Sequence, residues 1–346
     1  KSHTGAIAGN DDAFNAFINY HGIARVEIFE TLIEIPNLFK NKKRSESKRV
    51  GIVTTTGGGG AMVVESLSGS DIEIIDPGLS IKKIMQDNNI AFNNNKLVDL
   101  TIAGTKPEIV NEVISQMMKN ENCDLVVMVV GSSAKFRPEQ AVEPLLKWAN
   151  DPKPLAVYVA PDAPEALNLL HQNNIACFRT PESCAESVKT FLNTKNPVKP
   201  IILKNDLSDI SKKLEKNIFK NLSEDEALEI FKDIGIEIVD YKVSSNEKQA
   251  IEYSSQIGFP LAMKVLSSEI MHKTETGGVE LNIKNLEEVK ISFKKLSDVF
   301  QKLKINSSEK KFIIQKMEKG IAEIILGYRV DELVGPIVVI GLGGIL

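Results

Sequence analysis

Three cysteines in 346 residues cannot build a disulfide scaffold. Cys123, Cys177 and Cys184 have neither metal-ligand spacing nor the density of a small secreted domain. They read as small apolar fillers, and a reducing cytoplasm is the expected setting. No apolar run reaches the roughly 18 residues that span a bilayer, and the N-terminus has no signal-peptide pattern, so no membrane partner is expected. A basic surface is missing too. Lys and Arg number 42 against 46 Asp and Glu, a net charge of -4. The dense basic stretch KNKKRSESKR reads as a linker, and nucleic-acid binding is not expected. The chain has no initiator methionine, begins in a glycine loop and stops at VVIGLGGIL without a closing element. A segment of a longer polypeptide is expected on those grounds.

What is present argues for two or three globular domains. Residues 1–40 read as a glycine loop and two helices, the first ending at Gly22. Residues 48–193 alternate near-continuous apolar strands (RVGIVTTT, CDLVVMVVG, KPLAVYVA) with helical segments. That alternation argues for a parallel sheet covered on both faces. Residues 194–220 look like a connector with a weak helix. A second, α+β unit opens at LSEDEALEIFKDIGI, where Ser223 and Glu226 fit a capping box. Its strand-like runs are EIVDYKV, LAMKVL, GGVELNI, KFIIQKM and AEIILGYRV, and it ends unfinished.

Histidine is scarce, with four in the chain. His3 lies between two hydroxyl residues and is followed by Thr4 and Gly5. An imidazole is a nucleophile near neutral pH, and a glycine lets backbone close around a bulky group. That supports a transient phosphohistidine; the other reading is a surface histidine in a turn. His21 and His171 read as structural helix-end residues. TTTGGGGAMVVESL has the strand–glycine–helix layout of a phosphate- or ligand-binding turn, with Gly57 and Gly58 as its loop. It is not a Walker sequence, and the four glycines equally suit close packing. Ser132 and Ser133 follow a strand, so they lie at the carboxyl edge of the sheet, as do Asp99, Gly104 and Thr105. Glu143 can accept a hydrogen bond from an imidazole. Each of these also reads as plain capping.

The second unit holds a denser set. Lys264 interrupts an apolar strand, where it needs an anionic partner, a phosphate or a carboxylate. Gln315 and Met317 are two apart on one strand face, a polar edge beside apolar surface that suits a base. Glu323 is a candidate Mg²⁺ or ribose ligand. MHKTETGGVEL supplies a flexible loop with His272, Gly277 and Gly278. An ordinary α+β sheet with solvated charges is the alternative.

SHTGAIAG followed by AFINYHGIARVEIFETL resembles the end of the second domain of nucleoside-diphosphate-forming acyl-CoA synthetases. These are relatives of succinyl-CoA synthetase and of archaeal ADP-forming acetyl-CoA synthetase. RVGIVTTTGGGGAMVVE resembles the next domain of their fused chains. LSEDEALEIFKDIGI, GFPLAMKVLSSEIMHKTETGGVELNI and GPIVVIGLGGI look like their ATP-grasp part. The resemblance implies an α/β chain, a flavodoxin-like parallel-sheet domain followed by an incomplete α+β ATP-grasp domain. It implies boundaries at 1–45 (end of a preceding flavodoxin-like domain), 46–195, a 196–220 linker and 221–346. The implied reaction interconverts carboxylic acid, CoA and ATP with acyl-CoA, ADP and phosphate through acyl phosphate and phosphohistidine. ATP or ADP, Mg²⁺ and coenzyme A are the implied cofactors and substrates, in a cytoplasmic homo-oligomer. His3 matches the primary phosphohistidine and His272 the second. Lys264 would hold ATP phosphates, Gln315, Lys316 and Met317 would line the adenine pocket, and Glu323 would position triphosphate or metal. Glu143 would orient His3, with Gly5, Gly57, Gly58, Ser132, Ser133, Gly277 and Gly278 in the phosphate-binding and mobile loops. The family's CoA-binding domain, most of its first flavodoxin-like domain and its ATP-grasp metal-binding tail have no counterpart in this stretch, so the stretch alone is expected to be inactive. Acid activation coupled to elimination or transfer, and a degenerate acyl-CoA sensor, are the alternatives.

Overall fold

The computed structural model describes residues 10–92, 96–199, 208–215, 222–267, 276–302 and 310–343, apart from the side chains of 209, 210 and 213. The chain divides into two compact units, 1–199 with 329–337 and 200–328 with 338–346.

In the first unit the strands are β1 (Arg49–Thr54), β2 (Glu73–Ile74), β3 (Leu97–Asp99), β4 (Leu125–Val130), β5 (Leu155–Val159) and β6 (Ala176–Phe178). All pair in parallel. β2 pairs with the start of β1 and β3 with its end, so these two short strands share one place in the order β2-β1-β4-β5-β6. That is the flavodoxin-like doubly wound order, whose switch point falls between β1 and β4. The helices are α1 (Asp11–Tyr20), α2 (Phe29–Glu34), α3 (Pro36–Phe39), α4 (Gly57–Leu67), α5 (Gly78–Asp87), α6 (Pro107–Lys119), α7 (Ser133–Phe136), α8 (Pro138–Leu146), α9 (Pro164–Gln172) and α10 (Pro181–Asn193).

The period-two alternation of strand side chains divides β4 between two cores. Val126, Met128 and Val130 face a layer with Ile81 of α5, Val113 of α6, Leu145 of α8 and Ala166 of α9. Leu125, Val127 and Val129 face Val63 of α4 and Val188 of α10. Every residue of β4 and β5 is buried, which explains their unbroken apolar sequence. Gly51 in β1 is dictated by packing: a Cβ there would stand 2.4 Å from Met117 Sδ.

Of residues 1–45, expected to close a preceding domain, the described ones from 10 onward include side chains that pack on this sheet. Ile35 and Leu38 join the second core. Glu34 of α2 accepts from Arg179 Nε at 2.7 Å and from Ser183 Oγ at 2.9 Å. Glu186 of α10 accepts the backbone N–H groups of Glu27 and Ile28, which lead into α2. The physical reason is edge cover: β6 is the last strand of the sheet, and α2 and α3 shield it. Three helices therefore stand where two were expected. Asn10 caps α1 through Ala13 N–H, and Gly22 follows at φ +65°.

In the second unit α11 (Ser208–Glu215) precedes α12 (Glu224–Asp233), whose Ser223–Glu226 capping box is present. β7 (Tyr241–Ser244), β8 (Leu261–Leu266), β9 (Val279–Ile283) and β10 (Lys311–Lys316) form an antiparallel sheet in the order β7-β10-β8-β9. α13 (Glu247–Ile257) and α14 (Leu286–Lys302) pack on the face that carries Leu261, Met263, Val265, Phe312 and Ile314. β11 (Ile324–Asp331) and β12 (Gly335–Leu342) make a separate two-stranded ribbon.

Asp124 ties the amino edge of the parallel sheet together. It accepts Arg49 Nε at 3.1 Å, Arg49 backbone N–H at 2.9 Å and the Ser45 and Ser47 hydroxyls. Burial pushes this carboxyl up, but those hydrogen bonds outweigh it and hold it below its ordinary value. A depressed folded pKa contributes stability that is complete above the unfolded value, about 3.9, and is lost as pH falls through the folded one. Asp124→Asn is therefore expected to cost about 1–3 kcal/mol at pH 7. In thermal denaturation the gap to wild type should persist down to about pH 4 and close below it.

Candidate functional site

In the first unit the sequence-predicted loops converge at the carboxyl ends of β1, β3 and β4, beside the switch point where open α/β sheets bind ligands. Thr55 N–H donates to Val129 O at 2.9 Å, and Gly131 N–H donates to Thr55 Oγ1 at 2.8 Å, so the β1 and β4 ends are stitched together. Thr54 Oγ1 donates to Thr56 O and accepts Thr56 N–H, which turns the chain sharply into α4. Thr56 makes no side-chain cap, leaving the first-turn N–H groups of this 11-residue helix without one.

The four glycines do different work. Gly59 and Gly60 are buried, and Cβ atoms there would stand 3.0 Å from Val129 Cγ1 and 2.8 Å from Thr54 Cγ2. They let α4 lie close on its own sheet. Gly58 is exposed, with nothing within 4 Å of the place a Cβ would take. Gly57 makes room for a carboxylate: its Cβ would stand 2.6 Å from Asp99 Oδ2. Asp99 Oδ1 accepts Thr101 N–H at 2.9 Å, and Thr101 has φ +47°, a left-handed conformation that costs a β-branched residue energy. The carboxylate set against the glycine run is thus Asp99. Glu143 is exposed in the second turn of α8. The sequence reading set Asp99 in a strand-to-helix loop; that it faces Gly57 follows only from the pairing of β3 with β1.

Ser132 is exposed and Ser133 half-buried at the start of α7, on the same edge. His3 and Gly5 lie outside the described residues. His21 caps the C-terminal end of α1, its ring 4.5 Å from that of Phe17. His171 lies in the last turn of α9 and lines a cavity of about 370 Å³ with Glu34, Arg179 and Cys177, which no motif announced. Burial pushes the Cys177 thiol up to about 12, as suits an inert filler.

In the second unit Lys264 is the one residue of β8 that is not fully buried. It pairs across the sheet with Ile313, and Ala262 pairs with Gln315. Cross-strand partners share a face, so Lys264 and Gln315 lie together on the face opposite the α13–α14 core. Gln315 is buried, at 7% exposure. Lys264 Nζ meets Glu224 Oε1 at 2.7 Å, both side chains about a quarter exposed (26% and 25%). Of the two anions expected for this lysine, the carboxylate is present. Lys316 ends β10, its Nζ donating to Phe259 O at 3.2 Å. Met317 falls just past the strand rather than on it; its N–H donates to Pro260 O and its sulfur accepts Asn282 N–H at 3.1 Å.

His272 lies outside the described residues, in the connection between the paired strands β8 and β9. Gly277 turns into β9 at φ +72°, and buried Gly278 accepts Val265 N–H. Glu323 is exposed at the start of β11, its carbonyl accepting Gly343 N–H at 2.9 Å. Among the described residues no group of three His, Cys, Asp or Glu side chains is placed to hold a metal. One exposed carboxylate fits the way Mg²⁺ is held, through one or two carboxylates with phosphate oxygens, but is not a site by itself. No described helix is long and apolar enough to cross a membrane.

Residues 213–346 match the ATP-grasp domain. The chain is 24% identical over 355 residues to a 4-hydroxybutyrate–CoA ligase (ADP-forming) of Nitrosopumilus maritimus, covering 99% of this chain and 51% of that protein. It is 40% identical over 124 residues to the beta subunit of acetate–CoA ligase (ADP-forming) I of Pyrococcus furiosus, covering 36% of this chain and 53% of that one. A solved dinucleotide-forming acetyl-coenzyme A synthetase 1 of Candidatus Korarchaeum cryptofilum, in complex with coenzyme A and Ca-AMPCP, matches 40% of this chain and 61% of its own at 29% identity, with a TM-score of 0.37. The chain spans about half the length of the two ligases it matches. The relatives it matches along its whole length carry the names of ADP-forming acid–CoA ligases.

The glycine run makes a sharp distinction between neighbours. Gly57→Ala must push the Asp99 carboxylate aside and is expected to cost about 1–3 kcal/mol. Gly58→Ala meets nothing and gains helix propensity, so it should be neutral or stabilising by up to about 1 kcal/mol. Chemical denaturation of the two variants side by side checks this.

Proposed function

We propose that the full-length protein is an acid–CoA ligase (NDP-forming) that makes or uses acyl-CoA through acyl phosphate and phosphohistidine. The observation that carries the reading is continuity. One alignment to a 4-hydroxybutyrate–CoA ligase (ADP-forming) runs through 99% of this chain, across the parallel-sheet unit and the ATP-grasp unit in the same order. Either unit alone serves many activities; both in one chain narrow the choice.

In this reading the nucleotide sits on the open face of the β7-β10-β8-β9 sheet. Lys264 neutralises its phosphates, exchanging Glu224 for them, and Gln315, Lys316 and Met317 border the base. Bound Mg²⁺ would screen phosphate charge, with Glu323 as one of its carboxylates. The His272 imidazole attacks the terminal phosphorus, the bond to the bridging oxygen breaks and ADP leaves. The phosphoryl group passes to His3 and then to a carboxylate oxygen of the acid. CoA thiolate attacks the resulting acyl phosphate at its carbonyl carbon and phosphate leaves. A phosphoramidate keeps high transfer potential, so in-line placement and charge neutralisation carry the catalysis.

At the other end of the relay the uncapped first turn of α4, with Gly57 and Gly58, supplies N–H groups to a phosphohistidine. Ser132 and Ser133 add hydroxyls at the same sheet edge, and Gly5 gives the His3 loop its freedom. In this reading Asp99, which stands beside Gly57, takes the part expected of Glu143 and accepts the second imidazole N–H. Residues 46–195 and 221–346 act as the second flavodoxin-like and the ATP-grasp domains, joined by 196–220. The working protein is cytoplasmic and homo-oligomeric.

Full-length protein given γ-labelled ATP and Mg²⁺ is expected to take up acid-labile phosphate. His3→Ala should lose that label in the transfer to acid, and His272→Ala should lose labelling from ATP. Lys264→Ala should slow labelling by roughly tenfold to a hundredfold, the size of one lost charge-assisted hydrogen bond. No label on wild type from ATP, GTP or acyl phosphate would sink the relay and favour an acyl-CoA sensor.

A further inference from the structure

At the opposite, amino edge of the parallel sheet lies a cavity of about 430 Å³, far from the glycine run in the fold's own terms because strands separate the two edges. It is formed where the chain enters β1, β4 and β5 and where α6 ends. Lys43, Arg44, Lys119 and Lys153 line it. Of its three carboxylates, Asp124 is already engaged by Arg49, and Asp151 accepts Lys153 backbone N–H at 2.8 Å. Glu121 is exposed. With Asp124 neutralised by Arg49, the charges of Lys43, Arg44 and Lys119 face those of Asp151 and Glu121, a slight cationic excess that draws small anions even when Lys153 is neutral.

Lys153 differs from the other lysines of this edge. It is half-buried, and its Nζ donates to a single neutral acceptor, Asn120 O, at 2.6 Å. No carboxylate of the described residues stands within ion-pair distance of it. Lys42 is also half-buried, but two carbonyls, Ala149 O and Asp151 O, clamp its Nζ at 2.7 Å each. Lys48 is paired with Asp71. A half-buried ammonium held by one carbonyl gives up part of its hydration, so the free amine and any neutral derivative of it cost less here than at an exposed lysine.

We propose that Lys153 is a site of self-acylation by a small anionic acyl phosphate that enters this cavity. The neutral Nζ attacks the carbonyl carbon and forms the amide. The carbon–oxygen bond to phosphorus breaks, and phosphate leaves with that electron pair and the proton shed by nitrogen. The amide carries no charge, so the wall that penalises the ammonium tolerates the product. Burial holds the Lys153 amine below its ordinary pKa. The Asp151 and Asp124 carboxylates act against that, and Arg49 with it. A cavity of this size suits a small ligand, and acyl phosphate suits it better than a coenzyme A thioester, whose bulk would remain outside. The physiological donor rests on the reaction proposed above; the chemistry does not, because the donor can be supplied.

Full-length protein is incubated with labelled acetyl phosphate in one arm and labelled acetyl-CoA in another, and acetyl-lysine occupancy is followed by peptide mass spectrometry. With acetyl phosphate, Lys153 should label roughly tenfold faster than exposed Lys83, the low end of what a focused field does to a local anion concentration. Added salt should reduce that excess. Lys43→Gln with Lys119→Gln should slow Lys153 and leave Lys83 unchanged. Labelling of Lys153 at the Lys83 rate overturns the proposal. Faster labelling from acetyl-CoA than from acetyl phosphate overturns the choice of donor. Both results stand whether or not the ligase reaction is detected.

Discussion

Two-sided burial of the central strands is the constraint from which the first unit follows. β4 has no residue that meets solvent, and its odd and even side chains feed two separate cores. A strand in that position can carry no chemistry along its length. Polar groups are forced to the strand ends, where Thr54, Thr55 and Thr56 turn the chain, Asp99 closes β3, and Ser132 and Ser133 follow β4. The amino edge is subject to the same rule. There Asp124 gathers Arg49, Ser45 and Ser47, and Lys42 and Lys153 satisfy loop carbonyls. Both edges hold polar groups because the middle cannot.

The second unit solves a different problem. Its sheet buries one face against α13 and α14 and leaves the other to receive Lys264 and Gln315. A lysine in a strand that is otherwise buried is costly unless paired. Glu224, from the first turn of α12, supplies the pair at 2.7 Å. Both side chains keep partial solvent access, so neither charge of the pair stands in a dry interior.

Glycine illustrates how one motif splits into separate roles. In the run 57–60 the sequence shows four equal residues. Packing makes two of them spacers against β1 and β4, one a berth for a carboxylate, and one open to whatever approaches the sheet edge. Asp99 and Gly57 need each other for steric reasons, and neither announces the other at a separation of 42 positions in the chain.

Patterning alone determined the strands of both sheets that are long and apolar, the helices between them, the capping box at Ser223 and the stop of α13 at Gly258. These are local matters of period, cap and turn, and local sequence carries them. The two-residue strand β2 was not legible, because so brief a run has no period to read. The placement of α2 and α3 over β6 was decided by tertiary structure, through Glu34, Arg179 and a sheet edge that required cover. So was the placing of a carboxylate against the glycine run: only the parallel pairing of β3 with β1 sets Asp99 beside Gly57. Non-local pairing selects among residues that look alike in the chain, because proximity across a sheet leaves no mark on local composition.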